Sequence, residues 1–168
     1  MLDALLAFTI FAASAPKVLY KPDPARLTDV GTVDLETPRR HPCFGVLRAS
    51  VLLSSRKTDR MRAYVVSVTT ADSPAPEVIQ AGSLGGTPMR MVSVRNGDVA
   101  CTAYQCPTGS SAVFEISEAQ RQQVLSSGAA ALQVMTSAGD RCPVDLSVTK
   151  PLIDTLDAWA GTLPKPAG

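Results

Sequence analysis

A chain of 168 residues fits one domain and is long enough to bury a substantial core without metal or disulfides being mandatory. Its formal net charge is +1, only 18% of its residues are charged, and His41 is its single histidine. That balance excludes a dedicated nucleic-acid binder, because affinity for a phosphate backbone needs a concentrated excess of Lys and Arg.

The N-terminus, MLDALLAFTIFAASAPKV, carries an apolar run over residues 4–13 followed by Ala13-Ser14-Ala15. The run is too short to span a bilayer comfortably and ends in small residues, so residues 1–15 are expected to be a signal peptide rather than a transmembrane helix. Asp3 is the only early charge, so the basic start of a typical signal is missing. Residues 16–42 contain Pro16, Pro22, Pro24, Pro38 and Pro42. They read as a proline-rich arm with one short strand over residues 31–35. A single β-rich domain is expected over residues 43–162.

Residues 43–53 and 60–70 are rich in apolar and β-branched side chains and are separated by the polar SSRKTD, which predicts a first hairpin. ADSPAP then breaks the chain, and EVIQAGSLGGTP reads as a flexible glycine loop with room for a short strand. Residues 89–95 alternate out of strict phase, which predicts a strand with a bulge. Asn96-Gly97 is the strongest local hairpin signal, since both residues tolerate the positive φ of a type I′ turn. It would return the chain as DVACTAYQ, with Cys101 on the returning strand.

SAVFEIS predicts another strand. Ser117 with Gln120 fits a capping box, and Gly128 fits a stop, so a helix of about ten residues follows. Residues 130–137 and 142–149 form a last hairpin around AGDR, with Pro143 pushing the second strand to an edge or to its start. Thr149 can cap a closing helix, with Pro151 in its first turn and Leu152, Ile153, Leu156, Trp159 and Ala160 on one face. That face reads as core rather than as an exposed docking stripe. The sum is a mainly β fold, an antiparallel sandwich or open barrel with two short helices.

Two sets of residues are candidates for function. Cys43, Cys101, Cys106 and Cys142 are an even number in a chain expected to be exported, which predicts two disulfides in one of three connectivities. Pairing Cys101 with Cys106 would close a tight loop and leave Cys43 and Cys142 to staple the first strand to the last. A redox pair would need closer spacing and a helix N-terminus, and a zinc site would recruit closely spaced ligand pairs. Arg39, Arg40, Arg48, Arg56, Lys57, Arg60 and Arg62 lie in one stretch with Asp59 as the only acid. This is either an anion-binding or membrane-surface patch, or the solvated side of one hairpin.

No serine stands in G-x-S-x-G, and His41 in RRHPC reads as a surface residue beside a proline. GSLGGTP has no phosphate-cradle spacing. Asp154 and Asp157 read as the polar face of the last helix, and Asp145 stands apart. No cofactor or metal is expected. The expected activity is binding to a protein or envelope component; the competing reading is a periplasmic hydrolase or thiol redox protein.

The stretch from GDVACTAYQC through AVFEISEAQRQQVLSSGAAALQVMT to VDLSVTKPLIDTLDAW resembles the distal half of bacterial invasion-associated locus B proteins. Cys101 and Cys106, Val113 and Ile116, Val124 and Gly128, Leu132 and Met135, and Leu152 and Trp159 mark the matching segments. The resemblance implies a small exported β-sandwich protein of the envelope, linked to host-cell invasion or envelope stress and without enzymatic activity. The early tryptophan-bearing strand of that family has no counterpart here beyond Cys43, and Cys142 is an addition.

Overall fold

A computed structural model describes residues 15–38, 40–71, 78–98, 108–139 and 144–165. The expected signal segment thus falls almost wholly outside the described residues. So do Arg39, Cys101, Cys106, Cys142 and the strand expected to carry Cys101.

The chain forms β1 (Leu19–Tyr20), β2 (Thr28–Asp34), β3 (Val46–Arg56), β4 (Arg62–Ala71), β5 (Ile79–Leu84), β6 (Thr87–Pro88), β7 (Arg90–Asp98), β8 (Thr108–Ile116), α1 (Glu118–Ser127), β9 (Ala129–Thr136), β10 (Val144–Thr149) and α2 (Lys150–Thr162). The strands make two antiparallel sheets, of order β1-β2-β3-β4-β8-β7 and β10-β9-β5-β6, which face each other without closing into a barrel. β5 touches β7 and β8, whereas α2 lies against β2, β3 and β10, and α1 against β9, β10 and α2. The small sheet therefore covers one side of the large sheet's inner face, and α2 covers the other.

Period-two alternation produces this arrangement. In β3, Leu47, Ala49, Val51, Leu53 and Ser55 point inward, while Arg48 and Arg56 point out. β9 alternates without a break, burying Ala130, Leu132, Val134 and Thr136. Phe44 and Phe114 are the largest fully buried side chains, joined by Leu53, Ile79, Leu84, Leu132, Ile153 and Leu156. Removing each of these from water contributes about 1.5–3 kcal/mol. α2 buries Leu152, Ile153, Leu156 and Ala160, as its spacing predicted.

α1 matches expectation closely. Ser117 accepts from the backbone N–H of Gln120, the Gln120 side chain accepts from the backbone N–H of Ser117, and Gly128 ends the helix in the left-handed region. The expected bulge in the strand after Pro88 is also present, between Met91 and Ser93. α2 starts at Thr149 as predicted, but Thr149 makes no side-chain cap.

Three expectations are corrected. The proline-rich arm is part of the sheet: β2 pairs with β3 along its whole length, from Thr28 opposite Arg56 to Asp34 opposite Ser50. The folded body thus begins well before Cys43. Asn96-Gly97 is not a turn: both residues lie in β7, opposite Ser110 and Gly109. The Asn96 side chain instead accepts a hydrogen bond from Ser110 Oγ at 2.8 Å. The tight turn sits at Gly85-Gly86, with φ of 57° and 79°, where the glycine loop forms the β5–β6 hairpin through Leu84 opposite Thr87. Only glycine adopts two consecutive left-handed conformations at little cost.

Gly31 fixes where α2 rests. A Cβ on Gly31 would stand 2.5 Å from the Trp159 ring, and the same ring packs on Tyr20 with centroids 5.2 Å apart. The missing side chain lets α2 lie flat on β2, and Tyr20 then closes over the indole from the arm. Gly31→Ala is expected to destabilise the fold by about 1–3 kcal/mol, as overpacking does. Chemical denaturation followed by Trp159 fluorescence measures it, because Trp159 is the only tryptophan.

Candidate functional site

Most described members of the basic stretch are paired with carboxylates. Arg56 pairs with Asp59 at 3.0 Å, Arg60 with Asp29 at 3.1 Å, and Arg62 with Asp157 at 3.3 Å, while Lys57 Nζ stands 3.9 Å from Asp29. Arg48 points outward from β3. Arg40 and Arg48 are exposed and make no ion pair among the described residues. Four of the six described members are thus taken up by carboxylates, two of which, Asp29 and Asp157, come from distant parts of the chain.

Those two carboxylates build polar junctions. Asp29 is 7% exposed at its side chain and accepts from the Tyr20 hydroxyl at 2.9 Å. Arg60 also donates to the carbonyl oxygen of Pro164. One buried carboxylate therefore ties the arm, the β3–β4 turn and the chain after α2 together.

Asp157, expected on a solvated helix face, is instead the second junction. Its Oδ2 accepts from Arg121 Nη2 at 2.7 Å, and its Oδ1 accepts from Arg62 and from the Tyr64 hydroxyl. The Arg121 guanidinium also lies 5.2 Å from the Tyr64 ring centroid, a cation–π placement. Asp154, in contrast, faces solvent and pairs with Lys150.

Burial, followed by the hydrogen bond to Asp157 and its negative charge, pushes the Tyr64 phenol up to about 12. The bond to Asp157 holds the Arg121 guanidinium protonated even more firmly than usual. Because the Tyr64 value in the folded state lies above the unfolded 10, its contribution to stability is complete below pH 10 and is lost as pH rises toward 12. Tyr64→Phe is expected to flatten that part of the stability–pH curve relative to wild type. Urea midpoints at pH 8 to 12 for the two proteins check it, and parallel curves would contradict it.

His41 is half-buried and sits at a tight turn rather than free on the surface. It accepts the Cys43 backbone N–H at Nδ1, 3.2 Å away, and stacks on Phe44 with centroids 4.6 Å apart. Its own backbone brackets Gly45 in both directions. The imidazole shapes the entry to β3. Cys43, at the next corner, is disulfide-bonded, and no described cysteine is free.

Asp145 and the glycine segment, separate in sequence, are brought together. The pairings Asp145 opposite Gln133, Gln133 opposite Ser83 and Ser83 opposite Pro88 run as one row across β10, β9, β5 and β6. This row floors an open cavity of about 360 Å³ on the outer face of the small sheet, with Ala81, Met135 and Gly139 completing its walls. Among the described residues, Asp145 is the only charged one lining it, and its carboxylate makes no ion pair or hydrogen bond with any of them.

A second cavity of about 500 Å³ lies along β1 and β2, but its carboxylates are engaged, Asp23 with Arg26 and Asp29 with Arg60. The first cavity is the candidate site, since it combines an apolar wall with an unengaged charged group. No group of three or more His, Cys, Asp or Glu residues among those described is placed to hold a metal ion.

No family model, curated protein or solved structure matches this chain. The described residues include no helix long and apolar enough to cross a membrane.

Proposed function

We propose that the protein is an exported bacterial envelope protein, held by two disulfides, that acts by binding a partner rather than by catalysis. The observation that carries the binding half is the composition of the cavity on the small sheet. Among the described residues, one carboxylate, one amide, one hydroxyl and a thioether line it. That set can hold and orient a ligand, and none of its described members stands beside a second titratable group that would tune it for acid–base or nucleophilic work.

Export is supported by the bridged Cys43, since disulfides persist in oxidising compartments, and by the apolar segment ending in Ala13-Ser14-Ala15. The resemblance of the C-terminal half to invasion-associated locus B proteins adds the envelope and its link to host contact or envelope stress. Cys101, Cys106 and Cys142 supply the other sulfurs of the two bridges.

Expression in a Gram-negative host with the chain's own N-terminus, followed by osmotic-shock fractionation, tests the reading. Release of a shortened protein with the periplasmic contents is expected, and retention of full-length protein in the cytoplasm would overturn it.

A further inference from the structure

The row Asp145–Gln133–Ser83 places a carboxylate, an amide oxygen and a hydroxyl side by side on three neighbouring strands, with Cβ atoms about 5 Å apart at each step. All three are hydrogen-bond acceptors, and the carboxylate is the only charge. Ala81, Pro88 and the side chain of Met135 supply aliphatic surface beside them. Among the described residues no aromatic ring lines the cavity, so they offer no stacking surface for a base, a sugar face or a quaternary ammonium.

From this arrangement we propose that the cavity takes the side chain of a lysine presented by a partner protein, its aliphatic stem against Met135 and Pro88 and its ammonium between Asp145 and Gln133. The inference rests on the reading of the protein as a binding module and names the chemistry its site selects.

Four features favour lysine on a peptide. An ammonium has three rotatable donors and meets acceptors on different strands at once, whereas a guanidinium prefers two oxygens of one carboxylate in its own plane. A long stem lying on apolar surface with its charge at a polar tip is the ordinary habit of lysine. Met135 is 53% exposed although its strand neighbours are buried, and a flexible thioether on a surface adapts to a peptide chain. The neighbouring Gln133 amide can donate to a peptide carbonyl as well as accept from the ammonium.

The test uses the full chain, a capped Ala-Ala-Lys-Ala-Ala peptide, the same peptide with Nε-acetyl-lysine, and 1,5-diaminopentane, read by NMR titration. The lysine peptide is expected to bind saturably, to move the backbone amides of Ser83, Gln133 and Asp145, and to weaken as salt is raised, because the pair is exposed. Acetylation and Asp145→Asn should each weaken binding at least about tenfold, the scale of one charge-assisted hydrogen bond.

Asp34→Asn, on the outer face of the other sheet where Asp34 accepts from Ser50, should leave binding unchanged. All variants alter exposed positions, and an unchanged melting temperature confirms that they fold. Absence of saturable binding, equal binding by Asp145→Asn, or a diamine that binds as tightly as the peptide would overturn the proposal. Those outcomes leave the fractionation result untouched, so failure of this site and failure of the exported-module reading are told apart.

Discussion

Cys43→Ser is expected to lower the free energy of unfolding by about 4 kcal/mol. Cys43 is bridged, and Cys101, Cys106 and Cys142 all lie far along the chain, so whichever is its partner closes a loop of roughly 60–100 residues, for which the chain-entropy model gives values near that figure. The location adds to the effect. Cys43 sits between the His41 turn and the start of β3, next to fully buried Phe44. Releasing it frees the corner from which the longest strand is launched. Urea unfolding of wild type with and without reductant, beside Cys43→Ser without reductant, measures this. The reduced wild type should fall to the variant's level or below it, and a variant within about 0.5 kcal/mol of oxidised wild type would show that the bridge is not a staple.

Asp157→Ala is expected to cost roughly 2–4 kcal/mol, since it removes the shared acceptor of three donors and leaves a largely buried guanidinium without its main partner. Arg121 is 20% exposed at its side chain and Asp157 23%, so solvent compensates only in part. Arg121 Nε already lacks a hydrogen-bond partner in the fold, and loss of Asp157 would leave it bonded to Glu118 alone. The same change unlocks α2 from α1 and β4, which no other described ion pair joins at that point. Thermal and urea denaturation of Asp157→Ala, Tyr64→Phe and the double variant check it. The two effects should fall short of additivity, because both variants break the same hydrogen bond.

Much of the fold was legible because it is written locally. The first hairpin, the bulge after Pro88, the capping box at Ser117 and Gln120 and the buried face of α2 each depend on residues within one or two turns of one another. Asn96-Gly97 shows where local signals lose. Its turn chemistry is strong in isolation, but pairing with Ser110 and Gly109, and the bond from Ser110 Oγ to Asn96, hold both residues extended. The two consecutive glycines at 85 and 86 were read as flexibility, whereas the strand on each side turns them into a hairpin. β2 was underestimated because prolines flank it; its stability comes from β3 on one edge and Trp159 on one face.

The candidate site was legible in its pieces only. Asp145 and the glycine segment each stood out in the sequence, but although β9 and β10 form a local hairpin, the β5–β9 pairing that brings the glycine segment to them links segments about fifty residues apart. The pairing of the basic stretch was hidden for the same reason in reverse. Its neutralising acids are Asp29, before it, and Asp157, near the other end of the chain, and nothing in the local pattern marks either as a partner.

The most direct test of the oxidised, exported binding module is the intact mass of the protein recovered from the periplasm, taken after alkylation without reductant. With four cysteines in the chain, the account predicts a mass four hydrogens below that of the reduced mature chain, no alkyl adducts, and loss of the N-terminal apolar segment. Alkylated cysteines, bound zinc, or a full-length N-terminus on the recovered protein would contradict it.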